Sequence, residues 1–193
     1  MLQQPDELMP FTLVPMSVIL KLANAKPIRK DLQMSLIQTK APPRPAGSVI
    51  LVATASSVAA LLSLALLTAT SGYEWLIPPM AASMALIMGA PRLPLSQPRN
   101  VIGGQTVSAT VGVAVGALGD SLWLAALAGG LALGAMMLLR MPHSPAAATA
   151  VIGVAVPVGW SFVLLAFLAA AVLVLIGVLG NRLNGATYPE YVW

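Results

Sequence analysis

The sequence predicts an all-α, polytopic membrane helix bundle of two three-segment inverted repeats, each with a short or broken middle helix. Three observations predict it: composition, the order of the apolar runs and the placement of charge. With 58% hydrophobic and only 8% charged residues, the chain carries more apolar surface than one water-soluble domain can bury. The expected setting is a bilayer, so the chain is read as an integral membrane protein. Cysteine is absent and there is a single histidine; with few scattered carboxylates, no metal site and no cofactor are expected. No basic run interleaved with aromatics points to nucleic acid.

The elements follow in order. Residues 1–47 form a flank holding Lys21, Lys26, Arg29, Lys30, Lys40 and Arg44, with an interfacial helix expected over 11–23 and a proline-rich linker at 41–45. Asp6 and Glu7 stand where a cleavable leader would be basic, so no leader is expected. Residues 48–183 form the transmembrane domain. Ser48 to Ser71 is an uncharged apolar run, roughly 24 residues and long enough for a hydrocarbon core of about 30 Å. Trp75 to Ala90 is shorter and interrupted at Pro78-Pro79, and Val101 to Leu118 runs apolar again with Gly112 and Gly116 four apart. Leu122 to Leu139 repeats that spacing at Gly130 and Gly134; both glycine pairs are expected to let helices pack closely, within the monomer or across a dimer. Pro145 to Pro157 is the second short segment, Trp160 to Gly180 the last span, and 184–193 a polar, aromatic tail.

Repeat 1 (48–118) and repeat 2 (122–183) share the order long, short, long. Their short segments align as Pro79-Met80-Ala81-Ala82-Ser83 and Pro145-Ala146-Ala147-Ala148-Thr149, the pattern of a duplication. If the short segments cross, all the Lys and Arg fall on one side with Glu74 and Asp120 opposite; four spanning helices plus two re-entrant helices is the alternative. The positive-inside rule prefers six crossings with both termini cytoplasmic, and hence an inverted repeat.

Proline at a helix start precedes free backbone N–H groups, which attract an anion. Two such starts exist, with Ser83 and Thr149 one turn inside, where their hydroxyls can reach a solute or bond back to their own helices. His143 and Ser144 flank the second start, and His143 is the one side chain that titrates near neutral pH. Arg99 and Asn100 are expected just ahead of a helix with Gln105 one turn inside, where the guanidinium can attract an anion or anchor the helix. No Asp or Glu lies inside an apolar run, which argues against a cation pump and against an enzyme with paired acids. The expected substrate-binding set is His143, Ser144, Thr149, Ser83, Arg99, Asn100 and Gln105, with no catalytic residue.

The segments Gly89-Ala90-Pro91, Ser96-Gln97-Pro98-Arg99-Asn100, Gly103-Gly104-Gln105, His143-Ser144-Pro145-Ala146-Ala147-Ala148-Thr149-Ala150, Asn181-Arg182-Leu183 and Tyr188-Pro189 resemble the HPP family of small integral membrane proteins, named for a His-Pro-Pro signature. Ser144 stands where that signature has its first proline, and Gln105 where the family pattern has histidine. Plant plastid members are implicated in nitrite transport, and the family is described as four-spanning. The resemblance implies a transporter or channel for a small inorganic anion, nitrite first. A neutral-solute channel, or a structural subunit recruiting a partner through residues 1–47, are the alternatives. The expected partners are the lipid bilayer, a small anion and further copies of the chain as a homo-oligomer, and the expected location is a bacterial inner membrane.

Overall fold

A computed structural model describes residues 42–192 of the chain. The interfacial helix expected over 11–23 lies outside the described residues. The chain divides into a unit of residues 1–44 and a unit of residues 45–193, and the helices below belong to the second.

Six helices occur among the described residues: α1 Gly47–Ser71, α2 Pro78–Gly89, α3 Pro98–Gly116, α4 Leu122–Leu138, α5 Ala146–Ala155 and α6 Ser161–Leu183, with a 3-10 turn at Pro94–Ser96 before α3. Proline opens α2 and α3 because the first helical position needs no N–H. Arg99 and Asn100 therefore lie inside the first turn of α3 and Gln105 two turns in, a correction to the sequence expectation. Helix α1 stops at Gly72, whose φ of 73° closes the last turn onto the Thr68 carbonyl. The Ser121 hydroxyl caps α4 by accepting the Leu124 N–H. At the far end of α4, Arg140 takes the left-handed φ of 59°. Its N–H reaches the Met137 carbonyl and the Met141 N–H the Met136 carbonyl, a Schellman closure with arginine in the glycine position. That turn aims Met141 to His143 back into the bundle.

Hydrogen bonds and shared clefts gather the helix ends into two groups. At one end, the Leu95 carbonyl meets His143, Arg99 meets the Leu139 carbonyl, Tyr188 meets the Ser96 carbonyl, and Asn184 meets the Val49 carbonyl. At the other, Gly116 to Asp120 share a cleft with Gly153 to Val158, and Gly72 to Glu74 share one with Pro157 to Leu165. Successive helices run in alternating directions between these ends, the short α2 and α5 included. Arg92, Arg99, Arg140 and Arg182 belong to the first end, Glu74 and Asp120 to the second.

The principal packed pairs are α1 with α2 and α6, α3 with α4, α5 and α6, α4 with α5, and α2 with α5 and α6. Exchanging α1 with α4, α2 with α5 and α3 with α6 leaves that set unchanged. Packing is inside-out relative to a water-soluble domain: Leu62, Leu66, Trp123, Leu138, Leu164 and Leu175 are exposed, while Ser83, Gln105, Ser108, His143 and Thr149 are fully buried. A lipid surround makes that arrangement favourable, because outward leucines meet hydrocarbon while inward polar groups find partners. Helices α1 and α6 are long and apolar enough to cross a membrane; α2, α4 and α5 are shorter apolar helices.

The two glycine pairs separate in the structure. A Cβ at Gly112 would lie 2.7 Å from the Ala150 carbonyl oxygen and 2.9 Å from Ala150 Cα, and one at Gly116 2.7 Å from the Gly153 carbonyl oxygen. Nothing lies within 4 Å of a Cβ at Gly130 or Gly134. Close packing within the chain is therefore a property of the α3 pair alone.

The tail is tied down at the arginine-rich end. Tyr188 donates to the Ser96 carbonyl at 2.9 Å, the Glu190 N–H donates to Gln97 Oε1 at 2.8 Å, and Glu190 lies 3.8 Å from Arg92. Burial holds the Tyr188 phenol well above its ordinary range. The unfolded chain therefore ionises first as pH rises. The contribution of Tyr188 to stability is complete below about pH 10 and falls away above it. Melting of the detergent-solubilised protein between pH 8 and 11 should show this loss, and Tyr188→Phe should flatten it while lowering neutral-pH stability by about 1 kcal/mol.

Candidate functional site

Four of the expected residues meet at the centre of the bundle. Helix α2 brings Ser83, α3 brings Gln105, α5 brings Thr149, and the α4–α5 connection brings His143; all four are fully buried. The Ser83 hydroxyl lies 2.8 Å from His143 Nε2 and 2.9 Å from the Pro79 carbonyl of its own helix. Gln105 Nε2 donates to Ser83 Oγ at 2.9 Å, and the Thr149 hydroxyl donates to Gln105 Oε1 at 2.5 Å. His143 Nδ1 faces the Leu95 carbonyl at 2.7 Å. The result is a continuous chain of five groups crossing the interior from α5 to the turn before α3.

Local sequence explains the convergence. Gly104 lets the His143 connection press onto α3, since a Cβ there would lie 2.6 Å from His143 Cβ. The next residue, Gln105, then faces Ser83 and Thr149. In the alignment of the two short segments Ser83 and Thr149 occupy matching positions, so one amide bridges the hydroxyls of α2 and α5. His143 sits outside the helices, and burial pushes its imidazole down to about 4 against the opposing pull of the Leu95 carbonyl; the ring is neutral at physiological pH.

The other expected residues lie elsewhere. Asn100 donates to the Pro94 carbonyl at 2.7 Å, holding the turn before α3. Arg99 reaches the Leu139 carbonyl at 3.4 Å, where a cation suits the last carbonyls of α4. Ser144 is exposed, and its carbonyl accepts the Ala147 N–H. The open helix starts expected from the prolines are absent: at α2, Pro78 and Pro79 carry no donor and the Met80 N–H bonds the Ile77 carbonyl. At α5 the N–H groups of Ala146, Ala147 and Ala148 turn back onto the carbonyls of His143, Ser144 and Pro145. Side-chain hydroxyls, the amide and the imidazole are thus the polar groups presented at the centre, in place of free backbone N–H groups.

Sequence reasoning missed the part played by Leu95 and its turn. Gln97 donates to the carbonyls of Pro91 and Leu93, and Ser96 lies within hydrogen-bonding distance of those of Leu86 and Ala90. This bonding fixes the segment that presents the Leu95 carbonyl. The available signal was the density of proline and amide residues from Pro91 to Asn100, but a carbonyl leaves no mark in a sequence. Among the described residues no group of histidine and carboxylate side chains is arranged to hold a metal ion.

A protein-family model described as "HPP, transmembrane region" matches residues 42–189. A transmembrane protein of Dictyostelium discoideum is 42% identical over 106 residues, covering 50% of this chain and 34% of its own length. A second transmembrane protein of that organism is 36% identical over 129 residues, covering 61% of this chain and 45% of its own length. The chain thus spans less than half the length of either curated relative. No solved structure matches.

Proposed function

The chain belongs to the HPP transmembrane-region family, and from that membership we propose that this integral membrane protein is a transporter or channel for a small inorganic anion, nitrite first. The observation that carries the reading is the buried chain of His143, Ser83, Gln105 and Thr149. Polar side chains inside a lipid-facing bundle are costly to bury, and they commonly mark a solute or proton path. These four join segments from both halves, where a carrier built from repeats places its substrate.

The reading includes an inverted duplication, with α1 to α3 and α4 to α6 as its halves, supported by the unchanged pairing under exchange and by alternating helix directions. It also includes six crossings, both termini on the cytoplasmic side, a bacterial inner membrane and assembly as a homo-oligomer. Arginines at one end and Glu74 and Asp120 at the other support the orientation. Single cysteines at Arg92 and Asp120 should label from opposite faces in intact cells; labelling from one face would remove the six-crossing arrangement.

Purified protein in proteoliposomes should pass nitrite. A His143→Ala, Thr149→Val double variant should reduce the flux about ten- to hundredfold, the loss expected for roughly 1.5 to 3 kcal/mol of hydrogen bonding. Flux equal to that of empty vesicles from protein verified as folded rejects the transport reading. A neutral-solute path is the second reading, favoured because the chain's groups are uncharged with a neutral imidazole. Passage of uncharged solutes with no dependence on a pH gradient distinguishes it.

A further inference from the structure

All hydrogen bonds in the buried chain point one way. The Leu95 carbonyl can only accept, so Nδ1 of His143 carries the proton and the neutral ring offers Nε2 as an acceptor to the Ser83 hydroxyl. Gln105 donates to Ser83, and Thr149 donates to Gln105. The direction runs from Thr149 through Gln105 and Ser83 to His143 and Leu95. Two features make it reversible. The Ser83 hydroxyl has a second acceptor in the Pro79 carbonyl, 2.9 Å away. The Gln105 amide offers one donor and one acceptor to two hydroxyls at matching positions of the two repeats, so a half-turn about its last bond exchanges their roles.

We propose that His143 is a proton-binding site whose loading reverses the Ser83–Gln105–Thr149 hydrogen bonds, making this cluster the proton-coupling switch of the transport path. The proposal rests on the transport reading above. When Nε2 takes a proton from a hydronium ion at the arginine-rich end, one N–H bond forms, one O–H bond of the hydronium breaks to leave water, and the ring gains one positive charge. Nε2–H then donates to Ser83 Oγ, whose hydroxyl turns to Gln105 Oε1 or to the Pro79 carbonyl. With the amide rotated, Gln105 Nε2 donates to Thr149 Oγ1, and that hydroxyl turns its proton away from Gln105. The neutral arrangement is the resting one, and loading of the ring selects the other.

The surroundings say what accompanies the proton. Around His143 lie Ser83 from α2, Gly104 from α3 and the Leu95 carbonyl; none of these titrates. The charged side chains at that end are Arg92, Arg99, Arg140, Arg182 and Glu190, and Glu190 pairs with Arg92. No carboxylate among the described residues faces the ring to balance an imidazolium. A small monovalent anion is the counter-charge that fits, and by linkage proton and anion then strengthen each other's binding. Carriage of the pair moves no net charge.

Nitrogen-15 NMR of the full-length protein in bilayers, labelled at histidine and glutamine, tests the switch; His143 is the chain's one histidine, so its ring signals assign themselves. The expected spectrum at neutral pH is the Nδ1–H tautomer. On acidification Nε2 gains its proton and the Gln105 side-chain amide shifts with the same midpoint. Ser83→Ala should leave the ring titrating and the Gln105 amide still, while Ser83→Thr, which keeps the hydroxyl, should preserve the joint shift. Sodium nitrite should move the shared midpoint to higher pH. A Gln105 amide that stays fixed through the ring titration, or an Nε2–H tautomer at neutral pH, overturns the switch, and a midpoint indifferent to nitrite overturns the anion as its counter-charge. The spectra need no flux: coupled titration in a protein that passes no nitrite supports the switch as a proton device and refutes the transport reading alone.

Discussion

Gly112→Leu is expected to be the most damaging single substitution in the bundle, lowering stability by about 3 kcal/mol or more, or preventing folding altogether. The cause is local and backbone-to-backbone. A Cβ at residue 112 would meet the Ala150 carbonyl oxygen at 2.7 Å, Ala150 Cα at 2.9 Å and Gly153 Cα at 3.1 Å. Relief cannot come from a side-chain rotamer, because the atoms in the way are main chain. Helix α5 would have to leave α3, and Thr149, next to Ala150, would leave Gln105 with it. Gly130→Leu and Gly134→Leu add a larger side chain where nothing lies within 4 Å, so they should leave the single-chain bundle as stable as before. Melting of the three variants in detergent, followed by the retained monodisperse fraction, makes the comparison. Equal melting of Gly112→Leu and Gly130→Leu would refute the packing account.

Gln105→Leu is expected to have the second largest effect, and it acts through both stability and function. The substitution is nearly isosteric, so packing is kept, but Thr149 loses its acceptor and Ser83 loses a donor. Ser83 can fall back on the Pro79 carbonyl of its own helix, which holds the stability cost to about 1–3 kcal/mol. The side-chain polar link from α2 through α3 to α5 is lost, and nitrite flux should fall with it. Gln105→Asn is the sharper comparison, since its amide is one methylene short of reaching both partners and should fail nearly as badly. The pair Gln105→Leu and Thr149→Val should cost less together than the sum of each alone, because the second change removes a group the first has already left unserved. Additive costs would show that the two side chains do not act as one unit.

Much of this molecule was legible in the sequence. Apolar runs and proline starts placed all six helices of the described residues, since a long uncharged run has few ways to satisfy its backbone in lipid except as a helix. Boundaries moved where capping chemistry outweighed hydropathy: α3 begins at Pro98 and takes Arg99 and Asn100 into its first turn, and α6 continues through polar Asn181 and Arg182 to Leu183. Asn181 is accommodated there by donating to the Ile87 and Gly177 carbonyls. Identical glycine spacings at 112/116 and 130/134 gave one expectation for two situations, because spacing records which residues share a face and not whether that face has a neighbour.

The candidate site divides along the same line. Residue types and positions alone marked His143, Ser83, Thr149 and Gln105, with Ser144, Arg99 and Asn100, as the polar groups worth attention in an apolar chain. Only the tertiary structure decided that the N–H groups at the starts of the two short helices are already bonded, that Arg99, Asn100 and Ser144 stand apart, and that one amide joins two hydroxyls contributed by α2 and α5. The physical reason is range. Helix formation and proline chemistry act over four residues and can be read along the chain. Hydrogen bonds between residues 22, 44 and 60 positions apart, together with the carbonyl of Leu95, depend on how the helices pack.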